Sequence, residues 1–233
     1  MQTKEHWQQD LKKCISNNGE LVEKLSEKTN TLINIDTNSN NIAAQLNHAI
    51  LTNPKFKLQV PEDFLTKIDI STNGLDDPLL KQILPIKAEE IEHPEYTANP
   101  LLEDEFVKIP GLLHKYKSRV LLAMTGGCAV NCRYCFRREF PYSKNIVSKK
   151  NLPQIIDYIK NDKDINEVIF SGGDPLILTD DYLFNVIKEL EKIEHLTTLR
   201  IHSRIPVVMP SRITSNFINM LKNSKLNAVV VIH

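Results

Sequence analysis

The sequence predicts an α/β protein in which an α-helical N-terminal region precedes part of a (β/α) barrel. Two observations support this prediction. Before residue 118 the apolar side chains recur at helical spacing between proline-rich breaks, and after it strand-like and helix-like segments alternate, as in parallel βαβ units. We therefore expect a helical region and connector over 1–117 and a barrel core over 118–233. Since four strands do not close a barrel, we expect the barrel to be truncated after its fourth strand.

The composition excludes several classes of protein. The 233 residues include 41% hydrophobic residues and carry a formal net charge of +0. That is enough apolar material for a core, and it gives no broad basic surface of the kind that binds nucleic acid. The N-terminus has no basic-then-apolar signal region, and no apolar run reaches about 18 residues. We expect a cytoplasmic protein with no membrane segment and no nucleic-acid partner.

The N-terminal region is predicted to be mainly helical from Lys4 to about Thr52. One apolar face begins at Trp7 and another is centred on Leu46, with breaks over 16–19 and 36–41. Prolines 61 and 78 stand where proline is tolerated in the first turn of a helix, and each precedes a short apolar segment. Residues 86–110 are acidic and punctuated by proline, which predicts an extended connection.

The barrel core is predicted from four apolar runs that alternate with amphipathic helices. The runs, which we interpret as strands, are 119–125, 167–171, 198–203 and 228–233. Apolar residues at helical spacing follow the first three runs, over 152–159, 183–190 and 217–221. Thr179 precedes two aspartates and is expected to cap the second of these helices.

Three of the four cysteines occupy eight consecutive positions directly after the first predicted strand. Cys128, Cys132 and Cys135 have the spacing C-x3-C-x2-C. Three thiolates from one loop can hold three irons of a 4Fe–4S cluster and leave the fourth iron open to a ligand. A structural zinc site would need a fourth ligand, which only a distant residue such as His114 or Cys14 could supply. Cys14 lies on an apolar helix face and is predicted to pack there.

The cysteine motif, with an aromatic residue at Tyr134, resembles that of the radical S-adenosylmethionine (SAM) superfamily. Three runs around it, PGLLHKY (110–116), GGCAVNCRYC (126–135) and FRREFPY (136–142), are similar to the lysine 2,3-aminomutase family. They are most similar to the branch of that family that makes (R)-β-lysine for modification of elongation factor P. The resemblance extends from about Leu58 to His233 and implies a radical SAM barrel.

The resemblance also implies roles for residues near the cluster. Ser-Gly-Gly-Asp after the second strand is by itself a common turn, but in a radical SAM protein it holds the methionyl amino group of SAM. Arg137 would bind the α-carboxylate of the lysine substrate. The residues assigned to SAM are Ser171, Gly172, Gly173 and Asp174, with Ser203, Arg204 and His233 at the carboxyl ends of later strands. Those assigned to pyridoxal 5′-phosphate (PLP) are Lys115, Tyr116 and Arg119.

The implied enzyme is an isomerase that moves the α-amino group of L-lysine to the β-carbon. It would use the 4Fe–4S cluster, SAM, PLP and an electron donor. The PLP-binding lysine and the acids for the substrate ε-ammonium group are expected beyond His233, so no catalytic residue is assigned. Its functional partners would be a lysine ligase and elongation factor P. Two alternatives stay open: an aminomutase that makes free β-lysine for amino-acid metabolism, and a non-catalytic module that binds zinc or a cluster.

Overall fold

The computed structural model describes residues 6–32 and 39–233. Contacts divide the chain into two compact units. One combines the chain up to Thr97 with Ala129–Arg138, and the other combines Ala98–Cys128 with Glu139–His233. The domain boundary expected between residues 117 and 118 remains a prediction. Lys4 and the first half of the break predicted over 36–41 lie outside the described residues.

Helices form much of the first unit. They are α1 (His6–Lys12), α2 (Asn18–Leu32), α3 (Ser39–Ala49), α4 (Glu62–Leu65) and α5 (Ile70–Asn73). Trp7 and Leu46 are buried, which confirms the two predicted apolar faces, and Leu25 and Phe64 join them in the core. Single antiparallel bridges connect Ile15 with Val60 and Ile50 with Ile86.

The two predicted proline-led helices are shorter than the sequence suggests. Pro61 is the N-cap of α4, and Pro78 precedes a single 3-10 turn at Leu80–Gln82. The buried carboxylate of Asp77 accepts hydrogen bonds from the backbone N–H groups of Leu79, at 2.9 Å, and Leu80, at 2.8 Å. Because this side chain satisfies the first donors of the turn, a tight turn is stable here without a longer helix.

The second unit is built on a six-stranded open sheet, within the described residues, with the strands in chain order. The strands are β1 (Val107–Ile109), β2 (Leu112–Tyr116), β3 (Arg119–Thr125), β4 (Glu167–Gly172), β5 (Thr198–Ser203) and β6 (Asn227–Ile232). The first three pair antiparallel, and β3 to β6 pair parallel. The predicted α/β class, a partial (β/α) barrel preceded by helices, is confirmed.

The four predicted strands correspond to β3 to β6. β3 and β5 have the predicted bounds, while β4 and β6 each differ from prediction by one residue. Along the inner strands the fully buried residues alternate with half-buried ones: Val168 and Phe170 are fully buried in β4, and Leu199 and Ile201 in β5. Because alternate residues of a strand share a face, these side chains place one face of the parallel sheet in the core.

Helices follow the first three parallel strands, β3, β4 and β5, as predicted. They are α6 (Leu152–Asn161), α7 (Asp180–Leu190), the short α8 (Ile205–Val208) and α9 (Ser215–Lys222). The hydroxyl of Thr179 accepts a hydrogen bond from the N–H of Tyr182 at 3.4 Å, which confirms the predicted cap of α7. Thr214 caps α9 in the same way through the N–H of Phe217.

The β1–β2 hairpin is a feature that the sequence analysis missed. Its turn contains Pro110 and Gly111, a pair typical of turns. Gly111 has a φ of +88°, and a Cβ at this position would lie 2.5 Å from the backbone nitrogen of Val147. Only glycine fits this conformation and this close backbone approach, so the turn depends on it.

Candidate functional site

The chemistry-bearing loops leave the carboxyl edge of the parallel sheet. Thr125 at the end of β3 is paired in register with Gly172 at the end of β4, and Ser203 at the end of β5 with Ile232 at the end of β6. His233 directly follows β6. The structure therefore brings the predicted SAM-binding residues of β4, β5 and β6 to one edge, which is where ligands bind in this class of fold.

At this edge the backbone around Gly126 and Gly127 is in direct contact with the backbone around Gly172 and Gly173. The N–H of Gly173 donates to the carbonyl of Thr125 at 2.7 Å, and the N–H of Asp174 donates to that of Gly127 at 2.8 Å. A Cβ at Gly173 would lie 2.1 Å from the carbonyl oxygen of Gly127, inside any tolerable contact. Gly172 has a φ of +110°, which also favours glycine. The turn after β4 is thus fitted against the residue that immediately precedes Cys128.

Asp174 holds that turn together with its carboxylate. Its side chain is buried; Oδ1 accepts from the N–H of Leu176 at 3.0 Å and from the hydroxyl of Ser203 at 2.7 Å. Oδ2 accepts from the N–H groups of Arg204, at 2.8 Å, and Ile205, at 3.2 Å. Burial raises the pKa of Asp174, although these hydrogen bonds oppose it. Both oxygens are therefore occupied in joining the end of β4 to the end of β5.

The other residues assigned to SAM differ in exposure. Ser203 is buried, and its hydroxyl both donates to Asp174 and accepts from the N–H of Ile205. Ser171 is also buried. The ring of His233 is exposed and lies edge-on to that of His202, with centroids 5.3 Å apart. Of these side chains, His233 is the one presented to solvent beside the strand ends.

The cysteine loop after Cys128 folds as part of the first unit. The N–H of Asn131 donates to the carbonyl of Gln59, and that of Arg133 to the carbonyl of Gln82, each at 2.8 Å. The thiol of Cys14 lies 3.6 Å from the carbonyl oxygen of Ala129 and donates to it. The helical N-terminal region thus supplies backbone acceptors for the segment that carries Cys132 and Cys135.

A charged cluster holds the same loop from the side. Arg133 donates to both carboxylate oxygens of Glu89, at 2.8 and 2.5 Å, and Arg138 donates to one of them at 3.2 Å. Both guanidinium groups lie over the ring of Phe56, 5.2 Å from its centroid, and Arg133 also donates to the Phe56 carbonyl. Burial would raise the pKa of Glu89, but the two arginines outweigh it and the pKa is lowered. Sequence analysis missed this cluster, because Glu89 is one of many acids in the connector.

The cysteine side chains suit metal binding by their chemistry. All four cysteines are thiols rather than disulfide halves, and each is half-buried. Burial raises the pKa of Cys135, and it raises that of Cys14 to about 11, with Asp10 and Glu62 contributing. Among the described residues, no three His, Cys, Asp or Glu side chains are grouped as ligands for a metal ion. The donor set fits a thiolate-bound cluster, and its assignment rests on the motif spacing.

The remaining predicted residues fall in two places. The guanidinium of Arg137 lies over the ring of Phe136, 5.0 Å from its centroid, directly after the cysteine motif. Lys115, Tyr116 and Arg119 lie on the β2–β3 hairpin, where Tyr116 pairs with Arg119. That is the amino end of β3, roughly 20 Å of strand away from its carboxyl end. The structure does not bring these three residues to the edge that carries Gly172 and Ser203.

Comparison with known proteins shows which families this chain is similar to. The model of the radical SAM superfamily matches residues 122–231, a segment that includes all three motif cysteines and the turn after β4. Over this segment the chain is therefore similar to the radical SAM superfamily. None of the helices in the described part of the chain is long and apolar enough to cross a membrane.

The chain is also similar to proteins named L-lysine 2,3-aminomutase. It is 42% identical over 230 residues to the one from Buchnera aphidicola subsp. Baizongia pistaciae and 38% identical over 231 residues to the one from Escherichia coli K12. Each match covers 99% of this chain and 63% of the relative, so the chain spans less than two thirds of their length. The relative from Haemophilus influenzae is 46% identical over 178 residues, which is 76% of this chain and 52% of that protein. The family resemblance read from the motifs is confirmed.

Proposed function

We propose that this chain belongs to an L-lysine 2,3-aminomutase, which converts L-α-lysine to (R)-β-lysine. The observation that carries the proposal is the C-x3-C-x2-C loop directly after β3, fitted at Gly127 against the Gly-Gly-Asp turn after β4. The names of the relatives, which match almost the entire chain, supply the substrate and the reaction.

Cys128, Cys132 and Cys135 would hold the 4Fe–4S cluster through their thiolates. The backbone around Gly172 and Gly173 would lie close to SAM, with Ser171, Arg204 and His233 beside it at the same edge. When bound, the cluster, SAM and PLP together supply the radical chemistry that shifts the amino group. Asp174 and Ser203 act on one another and fix the shape of this edge, so we assign them to positioning.

Arg137 would bind the substrate α-carboxylate. A guanidinium offers a planar fork of donors that matches a carboxylate, and this residue follows the cluster cysteines by two positions. For PLP we keep Lys115, Tyr116 and Arg119, as the family resemblance implies.

Of the two aminomutase roles, we propose the one in which β-lysine is made for modification of elongation factor P. The runs over 126–135 and 136–142 support it by their similarity to that branch. The protein would then work in the cytoplasm with an electron donor, and its product would pass to a lysine ligase that modifies elongation factor P.

The test is an anaerobic assay of the complete protein with L-lysine, SAM, PLP and dithionite. We expect β-lysine, and we expect it to be a substrate for a lysine ligase that acts on elongation factor P. If the ligase does not accept the product, the result favours an aminomutase that makes free β-lysine for amino-acid metabolism. Stoichiometric zinc without labile sulfide, and unchanged lysine, would contradict the proposal and favour a non-catalytic zinc module.

A further inference from the structure

Arg212 is a fully buried arginine in the second unit, in the 3-10 turn Pro210–Arg212 that follows α8. Burying a guanidinium is costly unless its donors are satisfied and its charge is balanced. Its contacts show what its burial achieves.

Its hydrogen bonds run to the loop that follows the Gly172-Gly173 turn. Nε donates to the carbonyl of Leu176 at 2.6 Å, and Nη2 donates to the carbonyl of Leu178 at 3.1 Å and to Oδ1 of Asp180 at 2.6 Å. The guanidinium lies over the ring of Phe217, 5.0 Å from its centroid. The charge balance comes from Asp180, in the first turn of α7, while the two carbonyls fix the backbone on both sides of Ile177.

Ile177 is the residue through which this loop contacts the start of the cysteine motif. A Cβ at Gly127 would lie 2.7 Å from Cδ1 of Ile177, so the two residues pack without any space between them. The other end of the same loop is fixed at Asp174, whose N–H binds the carbonyl of Gly127. The backbone at Gly127, next to Cys128, is therefore in contact with a loop clamped at both ends, by Asp174 and by Arg212.

We propose that Arg212 is a positioning residue for the ligand-binding edge: it fixes Leu176 to Leu178 so that Ile177 supports Gly127 and, through it, Cys128 and the Gly172-Gly173 turn. The effect on cluster and SAM binding rests on the proposed function, but the effect on the loop does not. A purely structural role would be shared by other arginine ion pairs of the unit. Arg200 provides that comparison as a half-buried ion pair, since its Nε binds Glu167 at 2.5 Å on the neighbouring strand.

The experiment compares Arg212→Met with Arg200→Met in the full protein. Hydrogen exchange of the 172–180 peptide is first measured without cluster or SAM. We expect at least about tenfold faster exchange in Arg212→Met than in Arg200→Met, because two backbone acceptors lose their buried donor. In the reconstituted protein we expect SAM to bind at least about tenfold more weakly, and the change that SAM makes in the electron paramagnetic resonance spectrum of the reduced cluster to be lost. Arg212→Lys should recover part of this affinity, since it restores one donor and the charge.

Equal exchange and equal SAM affinity in the two methionine variants would overturn the proposal. If the wild type forms no cluster, the proposed function fails, and hydrogen exchange alone decides whether Arg212 fixes the loop. If Arg212→Met does not fold, Ile177→Ala decides, because it removes the contact with Gly127 and leaves the buried charge in place. Weaker SAM binding with unchanged exchange at Leu176 and Leu178 supports the role of Ile177, and unchanged SAM binding refutes it.

Discussion

The loops after β3 and after β4 begin at paired strand ends but use their polar residues in opposite ways. After β3, the thiols of Cys128, Cys132 and Cys135 belong to no disulfide, and the loop is held by residues between and beside them, Arg133 above all. After β4, the conspicuous acid of the motif, Asp174, is itself the holding residue, and both of its oxygens are occupied within the protein.

Under the proposed function, the cysteines serve the chemistry directly, while Asp174 serves it by shaping the backbone. In the first loop a change of a motif side chain should remove a ligand and leave the fold intact. In the second it should change the fold first, and ligand binding as a consequence. The following predictions separate these two behaviours.

The largest effect is expected from single alanine replacements of Cys128, Cys132 and Cys135. Iron in the anaerobically reconstituted protein should fall from about four atoms per chain to near zero, because each thiolate holds one iron. The free energy of unfolding of the metal-free protein should change by less than about 1 kcal/mol. Cys14→Ala is the matched control and should retain the iron. Iron retained in all three variants would contradict the assignment of these cysteines as cluster ligands.

Asp174→Asn should behave in the opposite way. The amide replaces one acceptor oxygen by a donor that faces backbone N–H groups, so we expect the metal-free protein to lose about 3 kcal/mol of unfolding free energy. Denaturant unfolding measures it, and Asp181→Asn, an exposed acid in the first turn of α7, is the control. Full stability together with lost SAM binding would mean that Asp174 is a direct ligand after all.

Arg137→Lys tests the substrate assignment in the first loop. The variant should keep its iron and its cleavage of SAM, while kcat/KM for lysine falls by about 100-fold, because an ammonium cannot reproduce the planar fork. Steady-state assays at limiting lysine measure this, and Arg138→Lys is a comparison at the adjacent guanidinium. Loss of SAM cleavage as well would assign Arg137 to the cofactor.

Glu89→Gln should loosen the first loop without touching a ligand. We expect a loss of about 1–3 kcal/mol of unfolding free energy, since Arg133 is buried and would lose its charged partner. Glu90→Gln, an exposed neighbour, is the control. Because the pKa of Glu89 is lowered by folding, its contribution is present above its ordinary pKa of 4.5 and is lost as the pH falls below it. A difference between wild type and variant that persists at low pH would contradict this account.

The smallest effect concerns Cys14. Folding raises its pKa from 9.0 to about 11, so between these values the unfolded thiol loses its proton while the folded thiol keeps it. Stability should therefore fall as the pH rises through this window, by no more than about 1–2 kcal/mol once solvent screening is considered. Denaturant unfolding of the wild type and of Cys14→Ala at about pH 8 to 10.5, where both proteins fold, measures this loss of stability. Parallel pH dependence of the two proteins would show that the thiol is not buried in this way.

The elements that set the parallel sheet could be predicted from the sequence, while the contacts that hold its loops could not. Strand periodicity placed β3 to β6 within one residue, and helical periodicity located α6, α7 and α9 but not the short α8, because burial of a regular element leaves a regular apolar pattern. The cysteine spacing likewise predicted a ligand set. The β1–β2 hairpin was not predicted, because its strands are short and its turn signal, Pro110 and Gly111, lies inside a family motif.

The site residues that could not be predicted have partners that lie far away in the sequence. Glu89 reaches Arg133 across 44 positions of sequence, and Arg212 reaches Leu176 across 36. Neither pair has a local pattern, so only the folded chain identifies them. Asp174 shows the converse: its motif was evident, but the four donors around it come from two separate segments, and they decide how its carboxylate is used.

The most direct test of the central claim is a measurement of SAM cleavage by the complete, anaerobically reconstituted protein in dithionite. The claim is that the cysteine loop and the turn after β4 together form a radical SAM site. We predict about four irons with matching labile sulfide per chain, and conversion of SAM to methionine and 5′-deoxyadenosine that is lost in Cys132→Ala. Intact SAM in a protein that contains zinc and no sulfide would contradict it.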